Sequence, residues 1–165
     1  MPLTVQQIVA SKSDKELLGL MSAELEQHLG RQISNDALVK AIQTLPTGLR
    51  AMAATHRLDV SMAINDLGWH FHNHPHRELC AETSRGLREL EAFEIFEIFE
   101  SARSLIEPHW EKLASFASWY ETSGVEAAMR PLNQRLWKIC SQSPEYGLMQ
   151  FWLSYARSYP ERVAD

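Results

Sequence analysis

The chain has 165 residues, 45% of them hydrophobic, with a net charge of −5 and two cysteines. That length suits one domain able to bury roughly two thirds of its unfolded surface, so it needs no staple. Two cysteines cannot build a disulfide framework, no run approaches the ~20 apolar residues of a membrane span, and no basic patch suits direct binding to DNA or RNA.

The opening stretch, "MPLTVQQIVASKSDKELL", lacks the basic start and long apolar run of a signal peptide. With Cys80 and Cys140 read as reduced thiols, a cytoplasmic location is expected. Thr4 with Gln7, and Ser13 with Glu16, have the spacing of capping boxes, in which a hydroxyl caps the first turn and Gln or Glu reaches back. After Ser13, residues Leu17, Leu18, Met21, Leu25, His28 and Leu29 share one helical face, and Gly30 stops it. A short helix is predicted over 35–43, ended by "LPTG". Leu49, Met52, Ala53, His56, Val60, Ala63, Ile64 and Leu67 then recur at steps of three and four, with Gly68 placed to end that helix. His28 and His56 lie on apolar faces and are expected to be satisfied core histidines.

Helices are predicted over 78–90 and 92–106, with Pro108 following. "HWEKLASFASWYE" predicts another, stopped near Ser123-Gly124. A further helix starts at Pro131, where a missing N–H costs nothing. The last begins near Glu145, carries Leu148, Phe151, Trp152, Tyr155 and Tyr159 inward, and ends before Pro160. No segment alternates with a period of two. The expected fold is all-α, a single compact multi-helix domain.

Two stretches stand out. In "GWHFHNHPH", His70, His72, His74 and His76 occupy every second position, with Cys80 four residues on. An extended chain aligns all four imidazoles, whereas a helix pairs His70 with His74 and His72 with His76, and Pro75 argues against a helix running through. Structural zinc takes four closed ligands, mostly Cys with His, and no second Cys is near. The stretch therefore reads as a polar inter-helix turn, with these five residues as the candidates should a metal bind. No cofactor is expected. No catalytic acid, base or nucleophile can be named, because no nucleophile elbow, phosphate loop, dinucleotide fingerprint or HExxH occurs.

The other stretch is "AFEIFEIFES". Its glutamates Glu94, Glu97 and Glu100 step by three, and a helix gathers them within about a third of its circumference. Glu89 and Glu107 border that sector, while Ala92, Ile95, Phe99, Ala102 and Ile106 take the other side. Residues 82–111 hold eight Glu and three Arg, so the net charge of the chain concentrates there. Each like-charge pair costs about 0.2–0.5 kcal/mol, but each buried Phe or Ile returns about 1.5–3 kcal/mol, so the helix is expected to form. Its acidic face is either a solvated surface or a docking surface for a basic protein.

The run "LPTGLRAMAATHRLDVSMAINDLGWHFHN" and the following "ETSRGLRELEAFEIFEIFESARSLI" resemble the bacterial DNA-mimic-protein-like family, whose members are mostly of unknown function. Asn65, Gly68, Trp69 and Asn73 stand where that family has an Asn-Gly-Gly-aromatic turn with a nearby Asn. The closing "YARSYPERVA" resembles its terminal Tyr-x-x-x-x-Pro-Glu segment. Asp66-Leu67 interrupts the double glycine, and Glu91 stands where the family often breaks two helices with Gly. The likeness covers residues 45–165 and leaves the N-terminal helices of 1–44 outside it. It implies an all-helical fold that commonly self-associates, so a homodimer is an expected assembly. It also implies a non-enzymatic interaction module that meets a basic partner, such as a DNA-binding regulator, through an acidic surface. The alternatives left open are a metal-binding protein built on the histidine-rich turn and a small-molecule enzyme.

Overall fold

A computed structural model describes residues 2–30 and 34–164. Nine α-helices occur among them, and no strand: α1 Val5–Ala10, α2 Asp14–Leu29, α3 Asn35–Gln43, α4 Thr47–Ile64, α5 Leu67–Asn73, α6 Arg77–Glu89, α7 Phe93–Ile106, α8 Val125–Cys140 and α9 Met149–Ser158. Two 3-10 segments, Glu107–Ser118 and Pro160–Arg162, complete the chain. The fold is all-α and forms one domain.

Local signals explain most of the helix ends. Thr4 closes a full capping box with Gln7. At α2 the box is half formed: the Ser13 hydroxyl accepts the Glu16 N–H, but the Glu16 carboxylate accepts the N–H of Lys12 at 2.7 Å. Gly30 ends α2 at a φ of 52°, where a side chain would be strained.

Helix α4 is the axis of the molecule. Its first half, with Leu49 and Met52, joins an apolar cluster built with α1, α2, α3 and α9. Its second half, with Leu58 and Met62, joins a second cluster built with α5, α6, α7 and α8. The helices of residues 1–44 thus share a core with α4 and α9 and do not stand apart. Trp152 on α9 is buried and donates its Nε1–H to Thr55 Oγ1 on α4 at 3.0 Å, which pins the two helices. Helix α6 lies close along α4: a Cβ on Gly86 would sit 2.8 Å from the Ala51 carbonyl oxygen.

Four expectations need correction. Helix α4 ends at Ile64, before Gly68, because Asp66 starts a new helix: its carboxylate accepts the Trp69 N–H at 2.8 Å. Residues 107–118 form a 3-10 segment with a kink at Ser115, not an α-helix. Helix α8 begins at Val125 and runs through Pro131. Gly124, with a φ of 81°, opens it. Pro131 and Ala127, four residues earlier, are both exposed, so the carbonyl that Pro131 cannot serve faces water and the helix tolerates the loss. Helix α9 begins at Met149, four residues later than expected, because Gly147 takes a φ of 54°.

The junction of α6 and α7 makes a prediction. The Ala92 N–H reaches the Leu87 carbonyl at 2.9 Å and the Glu91 N–H reaches Arg88 at 3.1 Å, the paired bonds of a Schellman motif. Glu91 holds its left-handed position with a φ of 58°. A non-glycine residue there costs about 1 kcal/mol. The exposed bond it accepts from the Tyr159 hydroxyl returns little. Glu91→Gly is therefore expected to raise the melting temperature by about 2–4 °C, and Glu91→Ala to leave it unchanged or lower it. Thermal unfolding of the two variants checks the difference.

Candidate functional site

The histidine stretch is mostly helical. Helix α5 covers Leu67–Asn73 and ends at His74, with Pro75 outside it. Asn65 sits between α4 and α5, and its carbonyl accepts the Trp137 Nε1–H at 3.2 Å. Gly68, Trp69 and Asn73 lie within α5. The Asn73 amide donates to the Trp69 carbonyl at 2.9 Å. The helix start is tied to α8, where the buried Asn133 Oδ1 accepts the Leu67 N–H at 3.0 Å.

The four imidazoles point to different partners. His70 is buried against the rings of Phe71 and Phe99. Its Nδ1 lies 2.8 Å from Ser61 Oγ, whose own proton goes to the Arg57 carbonyl. The His70 proton therefore sits on Nδ1. His72 Nδ1 donates to the Leu113 carbonyl at 2.9 Å, and its ring stacks on Phe116. The His74 ring is 5.2 Å from that of His70. His76 caps α6: Nδ1 accepts the Leu79 N–H at 3.1 Å, and Nε2 lies 2.9 Å from Asp36 Oδ1. Cys80 is buried, which pushes its thiol up to about 12, so it is held as the neutral thiol. No group of three or more His, Cys, Asp or Glu among the described residues is arranged to hold a metal ion. His56 and His28 differ from expectation. His56 is exposed at the rim of a cavity beside Trp152. His28 is partly exposed and bonds Glu24 at 2.9 Å.

Burial of His70 has a measurable consequence. Desolvation first, then the neighbouring His74, lower its pKa from 6.5 to about 3. The unfolded chain binds this proton below pH 6.5 and the folded chain does not. Stability is thus intact above pH 6.5 and falls as pH drops toward 3. Between pH 7 and 4.5 the expected loss is roughly 2–3 kcal/mol. His56, desolvated at its cavity rim although part of the ring meets solvent, and the half-buried His74 are also lowered and act in the same direction. His70→Phe should flatten the acid limb by up to one proton, which denaturant unfolding at several pH values reads directly.

The acidic stretch folds as the pattern requires. Ala92, Ile95, Phe99, Ala102 and Ile106 are all buried. Arginines from elsewhere in the chain meet most of the outer carboxylates. Glu89, on α6, pairs with Arg162 at 2.9 Å and accepts the Tyr155 hydroxyl. Glu100 pairs with Arg103 at 3.0 Å and accepts the Ser84 hydroxyl. Glu107 pairs with Arg77 at 3.0 Å, and Arg77 also reaches Glu111 and covers the Trp110 ring. Glu94 is exposed and meets Arg135 only at 3.5 Å. Glu97 is exposed and has no ion pair among the described residues. Phe93, at the start of the same helix, is 60% exposed.

Sequence reasoning missed a buried charge. Glu82, on α6, is 2% exposed and takes two bonds from Arg50, at 2.9 and 2.7 Å. Arg85 and the Gln43 amide reach the same carboxylate. Burial alone would raise its pKa, but these hydrogen bonds outweigh it and hold it at about 2. The available signal was Glu82 standing on the apolar side of α6, between Leu79 and Gly86.

Residues 43–158 match the model of the DMP19-like protein family, which is more than half of the chain. The chain belongs to the DMP19-like protein family. No curated protein and no solved structure gives a significant match. In this DMP19-like protein the matched stretch runs from the end of α3 to the end of α9. It therefore contains both unusual stretches and the buried Glu82 network.

Proposed function

We propose that this DMP19-like protein is a non-enzymatic interaction module that docks a basic protein on the first turns of α7. The carrying observation is that Glu97, exposed and without an arginine partner among the described residues, stands beside the loosely paired Glu94 and the exposed ring of Phe93. An exposed ion pair contributes little, so a cation from a partner can replace Arg135 at small cost. A bulky apolar side chain next to such charges is what a docking surface presents. The buried side of α7 fixes the helix, so these groups are ordered before a partner arrives.

The test is capture of a partner from the native host on immobilised protein. Binding should fall steeply between about 0.05 and 0.5 M salt, since the distance beyond which exposed charges are screened shrinks from about 14 Å to about 4 Å over that range. The pair of changes Glu94→Gln and Glu97→Gln should abolish it while leaving the melting temperature unchanged. A partner held equally well at both salt levels, or by the double variant, removes this reading.

A further inference from the structure

A cleft of about 370 Å³ opens where α4, α8 and the turn before α9 meet, and no residue of α7 lines it. Asp59, Met62 and Ala63 line it from α4, Trp137 and Cys140 from α8, and Glu145, Tyr146 and Gly147 from the turn. Its walls carry two carboxylates and no Lys, Arg or His. No ion pair of Asp59 or Glu145 occurs among the described residues.

Asp59 is held in place. Its Oδ1 accepts the Leu148 N–H at 2.8 Å. Gly147 passes so close that a Cβ there would lie 2.9 Å from the same oxygen. Burial raises the pKa of this carboxyl, and the basic group it senses is His56, one turn earlier on α4. His56 lines a different cavity, where desolvation at the rim lowers its own pKa. Trp137 is 43% exposed, although its Nε1–H is satisfied by Asn65. Its indole is therefore oriented by a hydrogen bond while much of its surface stays open. An ordered indole beside two carboxylates without cations is the chemistry that receives an organic cation, by cation–π attraction and charge pairing.

We propose that this cleft is a binding site for a small organic cation, an alkylammonium or guanidinium compound, contacted by Trp137, Asp59 and Glu145. The site is independent of the α7 surface, so either can fail without the other. The probes are choline and agmatine, with 3,3-dimethylbutanol as the neutral counterpart of choline, followed by amide and indole NMR shifts of the full chain.

Both cations should shift the Trp137 indole N–H and the amides of 145–149, with affinity on the order of millimolar or tighter. The neutral alcohol should bind at least tenfold more weakly. Trp137→Leu and Asp59→Asn should each weaken the cations at least tenfold. Asp59→Asn keeps an oxygen for the Leu148 N–H, and Trp137 lies at the surface, so two differently placed changes guard against a folding defect. Equal binding of the neutral alcohol, shifts confined to other cavities, or no saturable shift would each overturn the proposal.

Discussion

Arg50→Ala is expected to destabilise the protein by about 3 kcal/mol or more, whereas Glu82→Leu should cost about 1 kcal/mol or less. The asymmetry follows from where each charge stands. The Glu82 side chain is 2% exposed, and that of Arg50 is 31% exposed. Without Arg50, a buried carboxylate keeps only Arg85 and the Gln43 amide. Without Glu82, the guanidinium can turn to water, and a leucine fills the space on the apolar side of α6. Denaturant unfolding of both variants at pH 7 checks the ordering. Equal losses, or a loss below 1 kcal/mol for Arg50→Ala, would show that the network does not hold the α4–α6 contact.

The same pair sets an acid limit. The folded pKa of Glu82 is depressed, from 4.5 to about 2. Its contribution is therefore complete above pH 4.5 and is lost as pH falls through 2. That window overlaps the one set by His70 between pH 4.5 and 3 and extends below it, so the variants separate them at the two ends of a pH series: His70→Phe flattens the limb between about 6.5 and 4.5, and Glu82→Leu the limb below about 3.

What could be read from the sequence was local. The buried side of α7 followed from its repeat because a helix of known period must place those five residues together. The end of α3 followed from the "LPTG" beyond it, and Ser34 supplies the cap at its start. Helix α5 was missed because Gly68 and Pro75 were read as stops, although Asp66 had the chemistry of a cap. Gly68 instead serves packing inside α5. Helix α8 runs six residues ahead of Pro131, which the sequence takes as its start, because the carbonyl left without its bond lies on the exposed side of the helix. Partnerships across the chain were not legible. Arg50 lies 32 residues from Glu82, and Asp59 lies 89 residues from Leu148. No spacing rule links such pairs until the helices have packed. The arginines that meet Glu89, Glu94 and Glu107 arrived the same way, from the C-terminal turn, α8 and α6 respectively.

Gly68→Ala is expected to cost about 3 kcal/mol or more, the upper end of what an added methyl imposes on a full core. A Cβ at this position would fall on the Tyr120 hydroxyl and 2.5 Å from its Cζ. The tyrosine cannot easily retreat, because its ring stacks on Phe116 at 4.1 Å and meets the edge of Trp119. The buried hydroxyl itself has no hydrogen-bond partner among the described residues, so Tyr120→Phe should be neutral or stabilising by up to about 1 kcal/mol. Joining the two changes should recover part of the loss, since the phenyl ring removes the worst contact but leaves Cζ close. A double-mutant cycle by denaturant unfolding measures this, with an expected coupling of about 0.5–3 kcal/mol. If the two effects simply add, the close approach of α5 to Tyr120 is not what requires glycine at position 68.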